Sequence, residues 1–310
     1  MKDLLKRGDK MNRLKTKSVS LGMLMLLLVL ILLAADKSML LPRGGLFAES
    51  IEKKADRGKD INILIMGIDA RPGEMTARSD TMILASIHPT IHKAVLIWIP
   101  RDTRLKSPIK GSCKINSVNF YKGPEKACSV VGEMFAVDVD HYIMVNFNGF
   151  ENIIDKLGGI EMDVDINLDS ARSNIHISKG RQRLNGKEAL KYVRFRIAPS
   201  ADIARTERQQ KLMTALIENL SKPAMMVKIP RLIPEIRKNV ETNIAFQDLL
   251  FLSQMKYLLD ANNIYTQTLP GYGYIDINSG ASYWIIDYQL APSVIKSVLY
   301  GHRYEVHEKP

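Results

Sequence analysis

Three short apolar runs, each with charged residues near one end, most constrain how this chain of 310 residues folds. The runs are Ile61 to Ile68, Met82 to Ile87 and Ala94 to Ile99. Unbroken apolar stretches of this length are typical of strands that are buried on both faces of a sheet. Such strands need helices to cover them, and amphipathic stretches do follow along the chain. The pattern therefore predicts a layered α/β domain.

The predicted elements alternate along one domain of about 240 residues, which is long enough to bury a single core. Strands are expected over residues 61–68, 81–88, 94–99, 160–166, 265–269 and 283–286. Helices are expected over residues 126–136, 146–157, 186–192, 203–220 and 246–259. Gly158 and Gly159 end the second helix, and Asn185 with Gly186 opens the third.

The amino-terminal residues predict a membrane anchor. Residues 1–17 hold seven lysines and arginines against two aspartates, and Ser18 to Ala35 carries no charge. Eighteen residues at 1.5 Å rise span about 27 Å, close to the hydrocarbon core of about 30 Å. By the positive-inside rule, we expect residues 1–17 to be cytoplasmic and residues 18–35 to cross the cell membrane once in the type II orientation. Residues 36–59 then form a tether that has room for a short helix, and residues 60–310 lie outside. A signal peptide cleaved after Leu33-Ala34-Ala35 is the alternative, and it also exports the domain.

The net charge of +11 does not indicate nucleic-acid binding. Residues 1–17 supply +5 of it, and the remaining +6 fits anionic wall polymer or lipid headgroups. The chain also has no recognisable helix-turn-helix.

Two cysteines fit an exported domain, where oxidation is permitted. A disulfide between Cys113 and Cys128 would close a loop of about 15 residues and contribute about 3 kcal/mol on the chain-entropy model. Two unpaired, buried thiols are the alternative.

Arginines and aspartates cluster beside the strand-like runs and suggest a phosphate and a metal. Arginine binds phosphate oxygens bidentately, and carboxylates suit a magnesium ion that bridges phosphates. Arg194 and Arg196 follow the apolar run Leu190 to Val193, and their alternation places both on one side of a strand. The complete set is Arg71, Arg78, Arg101, Arg194, Arg196 and Arg205 with Asp69, Asp80, Asp102 and Asp202.

The order of short motifs resembles the LytR-CpsA-Psr family of cell-wall glycopolymer transferases. The motifs are Asn62 to Asp69, Arg78-Ser79-Asp80-Thr81-Met82, Ile99-Pro100-Arg101-Asp102-Thr103, Lys114-Ile115-Asn116, Leu157-Gly158-Gly159-Ile160, Leu184-Asn185-Gly186, Arg194-Phe195-Arg196 and Arg205 to Gln210. The resemblance implies an α/β/α sandwich around a central mixed sheet, with a pocket for a lipid tail. The helices over residues 130–137 and 147–157 and the Leu212 to Leu220 face are the expected lining.

The resemblance also implies roles for individual residues. Arg78, Arg101, Arg194, Arg196, Arg205 and Gln209 match the pyrophosphate contacts, and Asp69 and Asp80 match the ligands of Mg²⁺. Arg101 and Asp80 are the first choices for catalysis, and Asp102 and Asp202 are candidates for the general base. Asp102 as a structural partner of Arg101, and Arg205 with Gln209 as an ordinary helix-surface pair, are the alternatives.

The implied activity is transfer of a glycopolymer from a polyprenyl-pyrophosphate carrier to peptidoglycan, through a phosphodiester, at the outer membrane face. A non-catalytic binder of lipid-linked polymer and a membrane-bound transcriptional attenuator are the alternatives. The motifs do not specify which glycopolymer is moved.

Overall fold

The computed structural model describes residues 49–70, 77–110, 112–170, 175–195, 202–220, 239–255 and 263–304. The strands are β1 (Ile61–Ile68), β2 (Ser79–His88), β3 (Lys93–Trp98), β4 (Arg104–Ile109), β5 (Ser112–Lys114), β6 (His141–Asn146), β7 (Ile160–Val164), β8 (Leu168–Ser170), β9 (Ile175–Ile177), β10 (Gly180–Leu184), β11 (Val240–Thr242), β12 (Ile264–Thr268), β13 (Gly271–Ile275) and β14 (Ser282–Ile286). The helices are α1 (Ile51–Asp56), α2 (Ser117–Lys122), α3 (Pro124–Phe135), α4 (Phe147–Leu157), α5 (Gly186–Arg194), α6 (Asp202–Leu220), α7 (Phe246–Gln254) and α8 (Ala291–Leu299), with a 3₁₀ turn at Pro89–Ile91.

A mixed sheet of six strands forms the centre, in the order β11-β6-β1-β2-β3-β12. β1 pairs antiparallel with β2 and parallel with β6, and β3 pairs parallel with β12. The remaining strands form four two-stranded sheets, β4-β5, β7-β10, β8-β9 and β13-β14. The predicted α/β fold with a central mixed sheet is confirmed.

Helices cover both faces of this sheet because its strands are apolar on both sides. Ile61 and Ile63 of β1 belong to a first core, which includes residues of α4, α5, α6 and α7. Leu64 and Met66 of the same strand belong to a second core with residues of α2, α3 and α8. The alternation follows from the period of two along a strand.

Most predicted elements match the structure within about two residues, but the chain around Arg194 does not. Asn185 forms a capping box with Glu188, and the helix it opens continues to Arg194 instead of ending at Tyr192. The run Leu190 to Val193 is therefore helical, and the prediction that Arg194 lies on a strand is wrong. A strong cap and the amphipathic spacing outweigh the short apolar run.

The described part of the predicted tether packs onto the domain. Ile51 of α1 is fully buried in the first core, and Lys54 is buried in an ion pair with Asp140. Residues 1–48, which include the predicted cytoplasmic segment and membrane anchor, lie outside the described residues. Within the described ranges, none of the helices combines the length and the apolar character needed to cross a membrane.

The predicted disulfide between Cys113 and Cys128 is absent, because both thiols are free. Cys113 is half-buried on β5, whereas Cys128 is buried in α3, where its thiol lies 3.7 Å from the carbonyl oxygen of His141. The unpaired alternative is therefore the correct one. Burial raises the pKa of the Cys128 thiol to about 12, so it is an inert core residue.

Candidate functional site

A tight turn after β3 presents the first charged residues of the site. The backbone N–H and the hydroxyl of Thr103 both donate to the carbonyl oxygen of Pro100, at 2.9 and 2.6 Å. The backbone N–H of Asn116 donates to the carbonyl oxygen of Arg101 at 3.2 Å, and that of Trp284 to the carbonyl oxygen of Asp102 at 2.9 Å. Elements far apart in sequence therefore fix the backbone that carries Arg101.

Arg101 forms an ion pair with Asp80 of the neighbouring strand β2. Its Nη1 donates to Oδ1 of Asp80 at 2.7 Å, and the two side chains are 24% and 20% exposed. A charge-assisted bond in a half-buried site holds both groups in one geometry. Part of each side chain still faces solvent, so a ligand can reach them.

Asp102 is a second carboxylate near Arg101. It is buried, accepts a bond of 2.9 Å from Nζ of Lys114, and has Oδ1 4.0 Å from Nε of Arg101. Asp102 is not among the described residues that line the pocket below. This placement fits a structural partner of Arg101.

Arg194, at the end of α5, is a second arginine of the site. Its Nη2 donates to Oδ2 of Asp69 at 3.2 Å, and its guanidinium lies 4.9 Å from the ring centre of Phe147, the first residue of α4. The ring and the carboxylate together orient the arginine. Phe147 begins the segment 147–157 that was predicted to line the lipid pocket, but its contact with Arg194 was not predicted.

Arg208 was also missed, although it lies within a quoted motif. It is buried and donates to the carbonyl oxygen of Phe195, which follows Arg194 directly. Burial lowers the pKa of Arg208 from its ordinary value. The bond fixes the end of α5, so Arg208 positions Arg194.

A charged pocket of about 560 Å³ brings these groups together. Its described lining consists of Asp80, Thr81, Arg101, Phe147, Val193, Arg194, Arg205 and Gln209. Arg205 and Gln209 are four residues apart on α6 and so face the same way. Three arginines with one carboxylate suit a ligand with several negative charges.

An apolar pocket of about 910 Å³ adjoins the charged pocket. It lies between the sheet and helices α4, α5 and α6, and includes Ile65, Ile83, Ile154, Leu212 and Leu216. Thr81, Phe147, Val193 and Gln209 line both pockets. One continuous space therefore has a charged end and an apolar end, as an amphiphilic ligand requires.

The predicted apolar lining is confirmed for α4 and for Leu212 and Leu216 of α6, and is wrong for residues 130–137. Val131 and Phe135 of α3 belong to the second core, on the opposite face of the sheet. An apolar helix face shows that it packs on a sheet, but not on which face. The side chain of Leu220 lies outside the described residues.

The other predicted site residues are placed as follows. Arg78 is exposed, its carbonyl oxygen accepts a bond from the N–H of Asp69, and it is not among the described lining residues. Asp69 is connected to the site by its ion pair with Arg194, and its side chain is 55% exposed. Arg71, Arg196 and the side chain of Asp202 lie outside the described residues.

The donor set fits a magnesium ion that also binds phosphate. Within the described ranges, no three histidine, cysteine or acidic side chains group closely enough to hold a metal alone. Magnesium commonly takes one or two carboxylates and completes its shell with substrate phosphates and water. Asp80, with a carboxylate in the pocket wall, meets that need, and Asp69 lies next to the same arginine cluster.

Comparison with known proteins agrees with this geometry. The sequence matches the LytR_cpsA_psr family over residues 43–297. This chain belongs to the LytR-CpsA-Psr family. The curated relative TagV of Bacillus subtilis (strain 168), a polyisoprenyl-teichoic acid–peptidoglycan teichoic acid transferase, is 33% identical over 250 residues, which cover 77% of this chain and 64% of TagV. TagU of Oceanobacillus iheyensis, named for the same activity, is 32% identical over 252 residues, which cover 79% of this chain and 77% of TagU.

Solved structures of this family share the fold. The crystal structure of B. subtilis TagV matches with a TM-score of 0.64 and 29% identity, covering 82% of this chain and 99% of that one. A structure of TagT bound to LIIa-WTA matches with a TM-score of 0.59 and 25% identity, covering 78% of this chain and 90% of that one.

Proposed function

We propose that this protein transfers an anionic glycopolymer of the teichoic acid or polysaccharide type from a polyprenyl-pyrophosphate carrier to peptidoglycan. The observation that carries the proposal is the continuous space with a charged and an apolar end. A polyprenyl tail fits the apolar pocket between the sheet and α4, α5 and α6. The pyrophosphate then lies among Arg101, Arg194 and Arg205. The names of the relatives TagV and TagU support the same donor and acceptor.

The reaction is a phosphoryl transfer. A sugar hydroxyl of peptidoglycan attacks the phosphorus that carries the polymer, the bond between the two phosphates breaks, and the lipid leaves as its monophosphate. A phosphodiester joins polymer and wall, and the hydroxyl proton passes to a base or to water. Negative charge redistributes over the phosphate oxygens, so positioned cations supply most of the catalysis.

The residues divide this work according to their positions. Arg101 is held by Asp80 and Asp102 from two sides, so its guanidinium is preorganised for the phosphate oxygens. Arg194 and Arg205 bind from α5 and α6, and Gln209 adds a polar contact at the junction of the two pockets. Asp80 and Asp69 would hold Mg²⁺, which supplies neutralisation of the phosphate charge when bound. Asp102 acts through Arg101, as a positioning residue.

The cellular location completes the proposal. Residues 18–35 anchor the chain in the cell membrane, residues 1–17 stay in the cytoplasm, and the domain acts at the outer face, where carrier and wall meet. The uncharged stretch of 18 residues after a basic segment supports this arrangement.

Replacing Arg101 with alanine tests the mechanism. Transfer from a defined polyprenyl-pyrophosphate donor should fall by about 10²- to 10³-fold, as expected for one lost electrostatic contact. Donor binding should persist through the apolar pocket, measured by calorimetry on the full chain. Arg181→Ala is the matched control, because Arg181 forms an exposed pair with Glu161 on β10 and β7. Unchanged transfer by the Arg101→Ala variant would contradict the mechanism, and no transfer by the wild type would favour a non-catalytic binder.

A further inference from the structure

A basic strip lies on β4, β5 and the segment between them, beside the charged pocket but outside it. The strip consists of Arg104, Lys106, Lys110 and Lys114. Residues 101–126 hold seven lysines and arginines against two acidic residues, a net +5. The whole chain after residue 17 carries a net charge of only +6, so almost all of its excess positive charge lies within residues 101–126.

Tyrosines underlie the cations of the strip. The guanidinium of Arg104 and Nζ of Lys114 lie 5.2 and 5.5 Å from the ring centre of Tyr283. Nζ of Lys106 lies 4.1 Å from the ring centre of Tyr288, and Tyr121 is 5.8 Å from Nζ of Lys110. Rings of this kind hold flexible cations in place without neutralising them.

Like charges face each other within the strip. Arg104 and Lys114 are direct cross-strand partners in the β4-β5 pair, and both lie against one ring. Opposed like charges on adjacent strands destabilise a sheet. Asp102 offsets part of this charge through Lys114, and an anion that contacts both Arg104 and Lys114 would offset the rest.

The strip continues directly from the charged pocket. Arg101 in the pocket wall lies 4.0 Å from Asp102, and Asp102 accepts a bond of 2.9 Å from Lys114 of the strip. Arg104 follows Arg101 by three residues, so the two Cα atoms lie at most roughly 10 Å apart. A chain that leaves the pocket at Arg101 therefore meets the strip at once.

The strip and the apolar pocket lie on opposite sides of the sheet. The apolar pocket is formed largely by residues of the first core, such as Ile83 and Leu212, whereas Leu105 of β4 and Trp284 of β14 belong to the second core. The geometry points to the basic strip as the binding site for the phosphodiester-linked, polyanionic chain of the donor. Lipid and polymer then leave the pyrophosphate in opposite directions. This inference rests on the proposed function, and it deepens the assignment of the donor.

Binding of a soluble polyanion to the full chain tests the inference. The probe is a fluorescent poly(glycerol phosphate) oligomer, with a dextran of equal length as the uncharged comparison. The triple variant Arg104→Gln, Lys106→Gln, Lys110→Gln should lose about tenfold in affinity for the oligomer, and its binding should depend less steeply on salt. The control triple variant Lys53→Gln, Lys187→Gln, Lys296→Gln removes three exposed cations elsewhere and should bind as the wild type does.

Three results would overturn the inference. The first is that the strip variant binds the oligomer with wild-type affinity, and the second is that the wild type binds dextran as tightly as the oligomer. The third is that the strip variant loses affinity only for phosphatidylglycerol micelles, which would identify the strip as a membrane contact. A transfer assay separates this inference from the proposed function. The strip variant should reduce kcat/KM about tenfold more for a donor with many phosphodiester repeats than for one with a single disaccharide. If the wild type transfers neither donor, the proposed function fails while the oligomer measurement still decides the role of the strip.

Discussion

At the scale of single residues, Arg101 and Asp80 show how far the sequence leads. In the sequence, both residues lie beside apolar strands, where a buried charge needs a partner. In the structure, Nη1 of Arg101 donates to Oδ1 of Asp80 at 2.7 Å. Lys114 belongs to a quoted motif, but the sequence did not indicate a role for it. Its partner Asp102 lies on a different element, so their ion pair could not be predicted. Contacts between distant segments depend on tertiary geometry, which a pattern in one dimension does not contain.

The two cysteines should differ sharply in reactivity. At pH 8 in the native protein, a thiol reagent should label Cys113, which is half-buried on β5, and leave Cys128 unmodified. Burial raises the pKa of Cys128 to about 12, so little thiolate forms there. Thiol counting should give one reactive group per folded chain and two in denaturant, and the Cys113→Ser variant should give none until it unfolds. If neither cysteine were labelled until a reductant was added, the two cysteines would form a disulfide, and this prediction would be wrong.

His141 should make the fold sensitive to mild acid. Burial, and then the charge of Lys54, lowers the pKa of His141, against the opposing effects of Asp140 and Asp248. Below about pH 6.5 the unfolded chain binds a proton that the folded chain resists, so stability is present above that pH and is lost as the pH falls. Denaturant unfolding between pH 7 and 5 should show a steeper loss for the wild type than for His141→Gln. The exposed His302 gives the control His302→Gln, and identical slopes for wild type and His141→Gln would refute the assignment.

At the scale of elements, periodicity and caps predicted five of the eight helices and four of the six central strands within the described residues, because both are local properties. The strands β4–β6, β8–β11 and β13 were not predicted. Four of them, β5, β8, β9 and β11, have only three residues, and so short a strand carries little period. The face of the sheet that each helix covers was also not predictable. Residues 130–137 and residues 147–157 both carry an apolar helix face, yet the two helices lie on opposite sides of the sheet.

Gly186 should be essential where α5 begins. A Cβ at this position would lie 2.2 Å from the carbonyl oxygen of Glu151 in α4, so the two helices are in backbone contact there. Gly186→Ala should reduce the free energy of unfolding by roughly 1–3 kcal/mol, or displace α5 and with it Arg194. Chemical denaturation measures the loss. Gly273 on β13 has open space for a Cβ, so Gly273→Ala should be nearly neutral, and equal effects of the two changes would contradict this packing.

At the scale of the whole molecule, the apolar pocket should discriminate donors by tail length. Met213 lines it and is partly buried, so Met213→Trp should fill part of its volume. We expect weaker binding of a long polyprenyl donor and little change for a short-chain analogue, because only the long tail needs the full depth. Val130→Trp, on α3 across the sheet, is the control. Calorimetric titration with both donors measures the difference, and equal losses for the two tails would exclude this pocket as the tail site.

The two arginine–carboxylate pairs also bear on which lipids the site accepts. Without substrate, Arg101 is matched by Asp80 and Arg194 by Asp69, so two of the three arginines in the pocket already have a carboxylate partner. An incoming lipid headgroup must therefore displace the carboxylates that already pair with these arginines. A phospholipid with a single negative charge can replace only one carboxylate, whereas a pyrophosphate has enough negative charge to replace both. At the proposed location beside a membrane, we expect this competition to disfavour the abundant lipids with a single negative charge, without any steric barrier.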